Sequence, residues 1–181
     1  MSIPNLITLA RIVLVPMVVW AISVGAMGLA FGLFVAAGVS DAVDGFLAKR
    51  FRMTTVLGAY LDPLADKALL VSIYVTFGIN GYVPRWLVIL VVSRDIMIVG
   101  GVMLAWLLGS PVKMKPLIVS KVNTVAQIVL ASVVLGSLGL GTRVPEVTLV
   151  LMGFVAVTTL LSIAAYAKRW LQQMNSVTTS Q

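Results

Sequence analysis

The chain has 181 residues, of which 60% are hydrophobic and 10% charged, and its mean hydropathy is +1.09. A water-soluble domain carries roughly 25% charged and about 45–50% apolar residues, so an ordinary soluble fold is excluded and the apolar surplus must face lipid. Thirteen Lys and Arg against six Asp and Glu give a net charge of +7. The absence of Cys and His excludes disulfides, thiolate and imidazole metal sites, and His-based proton transfer. Any metal must therefore sit on oxygen, which favours Mg²⁺, Ca²⁺ or Mn²⁺ over zinc or copper.

Six apolar segments follow one another, each long enough for a membrane helix at about 20 residues per crossing. The first covers about residues 3–24 and opens Ile3-Pro4-Asn5-Leu6. Arg11 and Pro16 interrupt it and no small-residue cleavage site follows, so it reads as mature sequence rather than a cleaved signal. After Gly25-Ala26 the second runs over about 27–49, with Asp41 and Asp44 near its end and the basic run Lys49-Arg50-Phe51-Arg52 closing it. The third, about 60–80, begins with Asp62 and Asp66 and stops at Asn80-Gly81. The fourth, about 83–108, carries Ser93-Arg94-Asp95. Lys113, Lys115 and Lys121 surround the start of the fifth, about 117–140. The sixth, about 146–167, ends in Lys168 and Arg169. With the basic clusters taken as cytoplasmic, both termini lie inside, as an even number of spans requires. No internal repeat is visible. The expected architecture is all-α and integral to the membrane: one six-helix domain over 1–171 and a polar, frayed tail over 172–181.

Four of the six acids fall in one stretch. Asp41 and Asp44 stand at i, i+3 and Asp62 and Asp66 at i, i+4, so each pair shares one face of its helix, and both pairs lie near the same membrane surface. Like charges at the edge of a low-dielectric phase repel and are costly to desolvate, unless a cation neutralises them. Mg²⁺ and Mn²⁺ do this with oxygen shells completed by water and phosphate oxygens, which points to phosphate chemistry. Gly45, Ala48 and Gly58 leave room for a ligand against helix backbone. Alternatives for the acids are a salt-bridge set with Lys49, Arg50, Arg52 and Lys67, or a proton or cation relay in a transporter. A relay spreads acids through the bilayer depth, whereas these cluster at one surface. For the small residues taken singly, close helix packing explains them equally.

The frame Asp41-x-x-Asp44-Gly45-x-x-Ala48-Lys49, eight residues, then Gly58-x-x-x-Asp62-x-x-x-Asp66 resembles the signature of the CDP-alcohol phosphatidyltransferase family. Lys49 departs from it, standing where the pattern has Arg and keeping the charge without the bidentate fork. The resemblance implies six membrane helices with a polar cavity on the cytoplasmic side. It further implies transfer of a phosphatidyl group from CDP-diacylglycerol to an alcohol with release of CMP, and dependence on Mg²⁺ or Mn²⁺, with two ions expected. Carried over by position, Asp41, Asp44, Asp62 and Asp66 hold the metals and Asp66 is the general base. Asp41, Gly45, Ala48, Lys49 and Gly58 line the CDP site. A homodimer in a bacterial or mitochondrial inner membrane, with its active site facing the cytoplasmic side, is expected on the same ground.

The acceptor is read from the rest of the chain. The opening residues, Asp62-Pro-Leu-Ala-Asp66-Lys67 and Ser93-Arg94-Asp95 resemble both the phosphatidylglycerophosphate synthase and the cardiolipin synthase branches. Glycerophosphate-accepting members carry a second Arg two turns beyond Arg94, where Val102 stands, and a Gly-Lys-x-Lys-Thr run that here reads Ser120-Lys121-Val122-Asn123-Thr124. Two cations are thus missing for a dianionic glycerol 3-phosphate. Lys113-x-Lys115-Pro116 followed by Ser120-Lys-Val-Asn-Thr-x-x-Gln127 instead resembles the cardiolipin synthases, and that resemblance implies phosphatidylglycerol as the acceptor, with Arg94, Lys121 and Asn123 as its candidate contacts and glycerol 3-phosphate as the alternative. Trp20, Trp86, Trp106 and Trp170 near span ends read as an interfacial belt and the Met residues as packing. Basic charge without a solvated recognition surface gives no case for nucleic acid.

Overall fold

A computed structural model describes the backbone of residues 3–51, 56–107, 117–142 and 144–178 and the side chains of most residues within 12–43, 67–100, 117–142 and 144–169. Six helices occur among the described residues: α1 (Ile3–Ser23), α2 (Met27–Phe51), α3 (Val56–Ile79), α4 (Arg85–Leu107), α5 (Ile118–Gly139) and α6 (Pro145–Thr178). Each covers one of the six apolar segments.

Three of the helix ends are built the same way. Gly25, Gly81 and Gly141 adopt φ of 75°, 76° and 68°, left-handed values that cost a side-chain-bearing residue about 1–2 kcal/mol. The following amide then reaches back five residues: Ala26 to the Ala21 carbonyl, Tyr82 to Phe77 and Thr142 to Ser137, each at 2.9 Å. This is the Schellman closure, which satisfies carbonyls the helix would otherwise leave open. At the other end, Pro145 begins α6 and Glu146 lies in its first turn, where a missing amide costs nothing and a carboxylate meets the positive helix end. The expected fray over 172–181 is corrected in part. With neither Gly nor Pro after Lys168 to stop it, α6 continues through Thr178.

The chain divides into two compact units, Met1–Arg85 with Ala131–Pro145, and Trp86–Leu130 with Glu146–Gln181. In the first, α1 packs on α2 and α3, and Val18, Ala21, Ile22, Ala30, Phe34, Ile73, Tyr74 and Phe77 are buried. The end of α5 meets the start of α2 at two glycines. A Cβ on Gly139 would lie 3.0 Å from both N and Cα of Gly28, so the backbones touch where only hydrogen fits. The second unit buries Leu87, Val91, Ala126, Leu130 and Val155. It also buries a run of polar groups taken up below.

Candidate functional site

The helical backbone places the four acids in register. Asp41 and Asp44 lie on α2 and Asp62 and Asp66 on α3, all in the first unit. At about 1.5 Å per residue, the backbone positions of the two pairs stand about 4.5 and 6 Å apart along their helices. Asp41 is half-buried. The side chains of Asp44, Asp62 and Asp66, and of Gly45, Ala48, Lys49 and Gly58, lie outside the described residues, and so do the expected metal and CDP sites that they would form. The donor set suits a hard divalent cation, being all oxygen and paired by helix.

The second unit holds a buried guanidinium. Arg94 is 1% exposed, and its Nη1 donates to Oδ1 of Asp95 at 2.5 Å. Nε and Nη2 donate to Oγ of Ser162 at 3.1 and 3.0 Å, and Nη2 also donates to Oγ of Ser120. Among the described residues one N–H on Nη1 is left. A charge this deep must be paired and hydrogen-bonded on every side to be tolerated, and the partners come from α4, α5 and α6. Arg94 thus ties three helices together.

One turn along α5, Asn123 is fully buried. Its Oδ1 accepts from Oγ1 of Thr158 at 2.8 Å and of Thr159 at 2.9 Å, while Nδ2 finds no partner among the described residues. Both hydroxyls also reach carbonyls of their own helix, Thr158 that of Phe154 at 2.9 Å and Thr159 that of Val155 at 2.7 Å. A hydroxyl carries one hydrogen and cannot serve both. Exchanging the amide oxygen and nitrogen resolves the conflict: the NH₂ donates to both threonines, whose hydrogens go to the helix carbonyls. The uncompensated atom is then an acceptor, which is the cheaper orphan.

The three acceptor candidates separate. Arg94 and Asn123 are buried, whereas Lys121 is exposed, with no ion pair among the described residues. Residues two apart do not share a helix face, so Lys121 and Asn123 belong to different sides of α5. Sequence reasoning did not find Ser162, Thr158 and Thr159. Their signal is a hydroxyl stripe at i, i+1 and i+4 inside an otherwise apolar helix.

Large apolar side chains are exposed on α1, α2, α4, α5 and α6, including Val13, Val39, Ile89, Ile96, Val125, Leu149, Val150 and Leu161. Two segments, Ile118–Gly139 and Pro145–Arg169, are long and apolar enough to cross a membrane among the described residues. Apolar outside and partly ionic inside reverses the packing of a soluble protein and defines a helical membrane protein with polar chemistry in its interior. The family model for CDP-alcohol phosphatidyltransferase matches residues 1–167, and the chain belongs to that family. It is 35% identical over 190 residues to the chloroplastic CDP-diacylglycerol--glycerol-3-phosphate 3-phosphatidyltransferase 1 of Oryza sativa subsp. japonica, covering 95% of this chain and 58% of that protein. It is 32% identical over 147 residues to the cardiolipin synthases (CMP-forming) of Rattus norvegicus and Homo sapiens, covering 72% of this chain and 49% of theirs. The chain spans about half the length of the curated relatives it matches.

Proposed function

We propose that the chain transfers the phosphatidyl group of CDP-diacylglycerol to a glycerol hydroxyl of phosphatidylglycerol, yielding cardiolipin and CMP. The acceptor oxygen attacks the phosphorus that bears diacylglycerol. Its new bond to phosphorus forms as the bond to the CMP oxygen breaks, and the Asp66 carboxylate takes the hydroxyl proton. Asp41, Asp44, Asp62 and Asp66 hold Mg²⁺ or Mn²⁺, two ions in this reading. When bound, the metal neutralises the pyrophosphate and the charge developing on CMP. Asp41, Gly45, Ala48 and Gly58 line the CDP site, and Lys49 offers it a point charge. Lys121 meets the acceptor from the exposed side of α5, while Arg94 and Asn123 act from the interior, Arg94 through its charge and the Nη1 N–H that is left among the described residues. In this reading six helices cross a bacterial or mitochondrial inner membrane, the cavity opens on the cytoplasmic side, and the enzyme works as a homodimer.

The observation that carries the acceptor is Asn123. It stands where the glycerophosphate-accepting pattern has its second Lys, and it is a neutral amide, 0% exposed and held by two threonines of α6. It supplies no cation for a dianion, whereas a singly charged phosphodiester asks for one fewer. Transfer to glycerol 3-phosphate is the second reading, favoured by the rice relative that covers 95% of the chain. Purified protein given CDP-diacylglycerol and Mg²⁺ or Mn²⁺ should release CMP with phosphatidylglycerol and form cardiolipin. Release with glycerol 3-phosphate alone would replace the first reading by the second.

A further inference from the structure

The second unit carries an open groove of about 340 Å³ between α5 and α6, lined on α5 by Lys121, Val125, Ala126 and Val129 and on α6 by Leu151 and Phe154. Among the described residues Lys121 is its one charged lining residue. It lies in the first turn of α5, beside the break that carries Lys113 and Lys115, where a span meets the headgroup region under the positive-inside rule. From Lys121 to Val129 the groove runs about 12 Å along the helix, most of the roughly 15 Å depth of one bilayer leaflet. Its volume is at the low end of the ~300–1,000 Å³ of small-ligand sites, which suits one chain of a lipid rather than two.

A cation at the headgroup level over an apolar slot one leaflet deep matches an anionic phospholipid, with phosphate above and hydrocarbon below. We infer that this groove seats one acyl chain of the phosphatidylglycerol acceptor, with Lys121 on its phosphate. The inference rests on the acceptor reading above and specifies it, placing acceptor recognition on the outer face of α5 as well as on headgroup contacts. A lysine without an ion pair among the described residues is available to a lipid phosphate, and the shallow slot lets the acceptor enter sideways from the leaflet.

Steady-state kinetics in mixed micelles test it with two variants. Val129→Trp fills the slot from a position whose side chain is already exposed, and Val147→Trp, exposed on α6 and not lining the groove, is its control. Val129→Trp should raise KM for phosphatidylglycerol about tenfold while leaving KM for CDP-diacylglycerol unchanged, and Val147→Trp should do neither. Lys121→Gln should raise the same KM by about tenfold, the loss expected for one charge-assisted contact. An unchanged acceptor KM in both groove variants, or an equal rise for both substrates, overturns the inference. Photolabelling with a phosphatidylglycerol bearing an acyl diazirine separates this failure from that of the reaction itself. Label on 121–129 and 151–154 that vanishes in Val129→Trp supports the groove even if cardiolipin is not the product. Label spread evenly over the helices refutes the groove even if cardiolipin is made. Because the chain has no cysteine, Val125→Cys offers a single thiol, and disulfide-linked dimers through it would give the groove to a second copy instead.

Discussion

Replacing Arg94 by Met keeps the length of the side chain and removes its charge. The change deletes four hydrogen bonds and takes the guanidinium from Asp95, whose side chain is 6% exposed. Removing one partner of a buried pair costs about 3–5 kcal/mol, because the remaining charge stays desolvated. At roughly 2–4 °C per kcal/mol for a domain of this size, the apparent unfolding midpoint should fall by about 6–20 °C. Tryptophan fluorescence during a thermal ramp in detergent reads this directly. The double variant Arg94→Met with Asp95→Leu should recover much of the loss, since the desolvated carboxylate is removed along with the guanidinium and two serine hydroxyls can turn to helix carbonyls. The reasoning is refuted if Arg94→Met unfolds at the wild-type temperature, or if the double variant is less stable than both singles together. Wild-type stability with a raised acceptor KM would instead make Arg94 a ligand contact alone.

Asp66→Asn should lower CMP release by roughly 10²–10⁴-fold, the range of general-base contributions, with an unchanged elution profile in detergent; near wild-type turnover would remove the base from this position. Chelation should abolish turnover, and added Mg²⁺ or Mn²⁺ should restore it, as measured by CMP release; full activity after exhaustive chelation would count against the carboxylate metal site. Gly139→Ala should destabilise by about 1–3 kcal/mol, the usual cost of overpacking, because its Cβ would meet backbone atoms of Gly28 at 3.0 Å. Gly28→Ala should be much milder, since among the described residues a Cβ there meets the Gly139 carbonyl oxygen alone, at 4.0 Å, and equal midpoints for the two variants would contradict the close approach.

The helices were legible because lipid makes hydropathy and segment length nearly sufficient, and because Gly25, Gly81 and Gly141 end their helices through a conformation glycine adopts freely. The extension of α6 to Thr178 was missed because polarity was read as fraying, although a polar helix outside the apolar slab needs only the absence of breakers. The acids were legible as pairs, since spacing along one helix is a local property. The ties of Arg94 to Ser162 and of Asn123 to Thr158 and Thr159 join residues 68, 35 and 36 positions apart. They depend on which helices become neighbours, which hydrophobic periodicity does not encode. Arg94 and Asn123 were therefore singled out for their chemistry, and their burial in a helix-tying role emerged only from the fold.

The reversed polarity of the second unit bears on how the protein can be handled outside its membrane. Lipid tails are as apolar as the helix surfaces, so helix association there draws little on the hydrophobic effect and leans on packing and on buried hydrogen bonds. Water is the natural competitor for those bonds, since it can solvate a guanidinium, two serines and an amide as readily as they solvate one another. Loss of structure on extraction should thus follow how far a micelle admits water between α4, α5 and α6. Detergents with long chains and tight headgroup packing should preserve the protein better than short-chain ones of equal solubilising power.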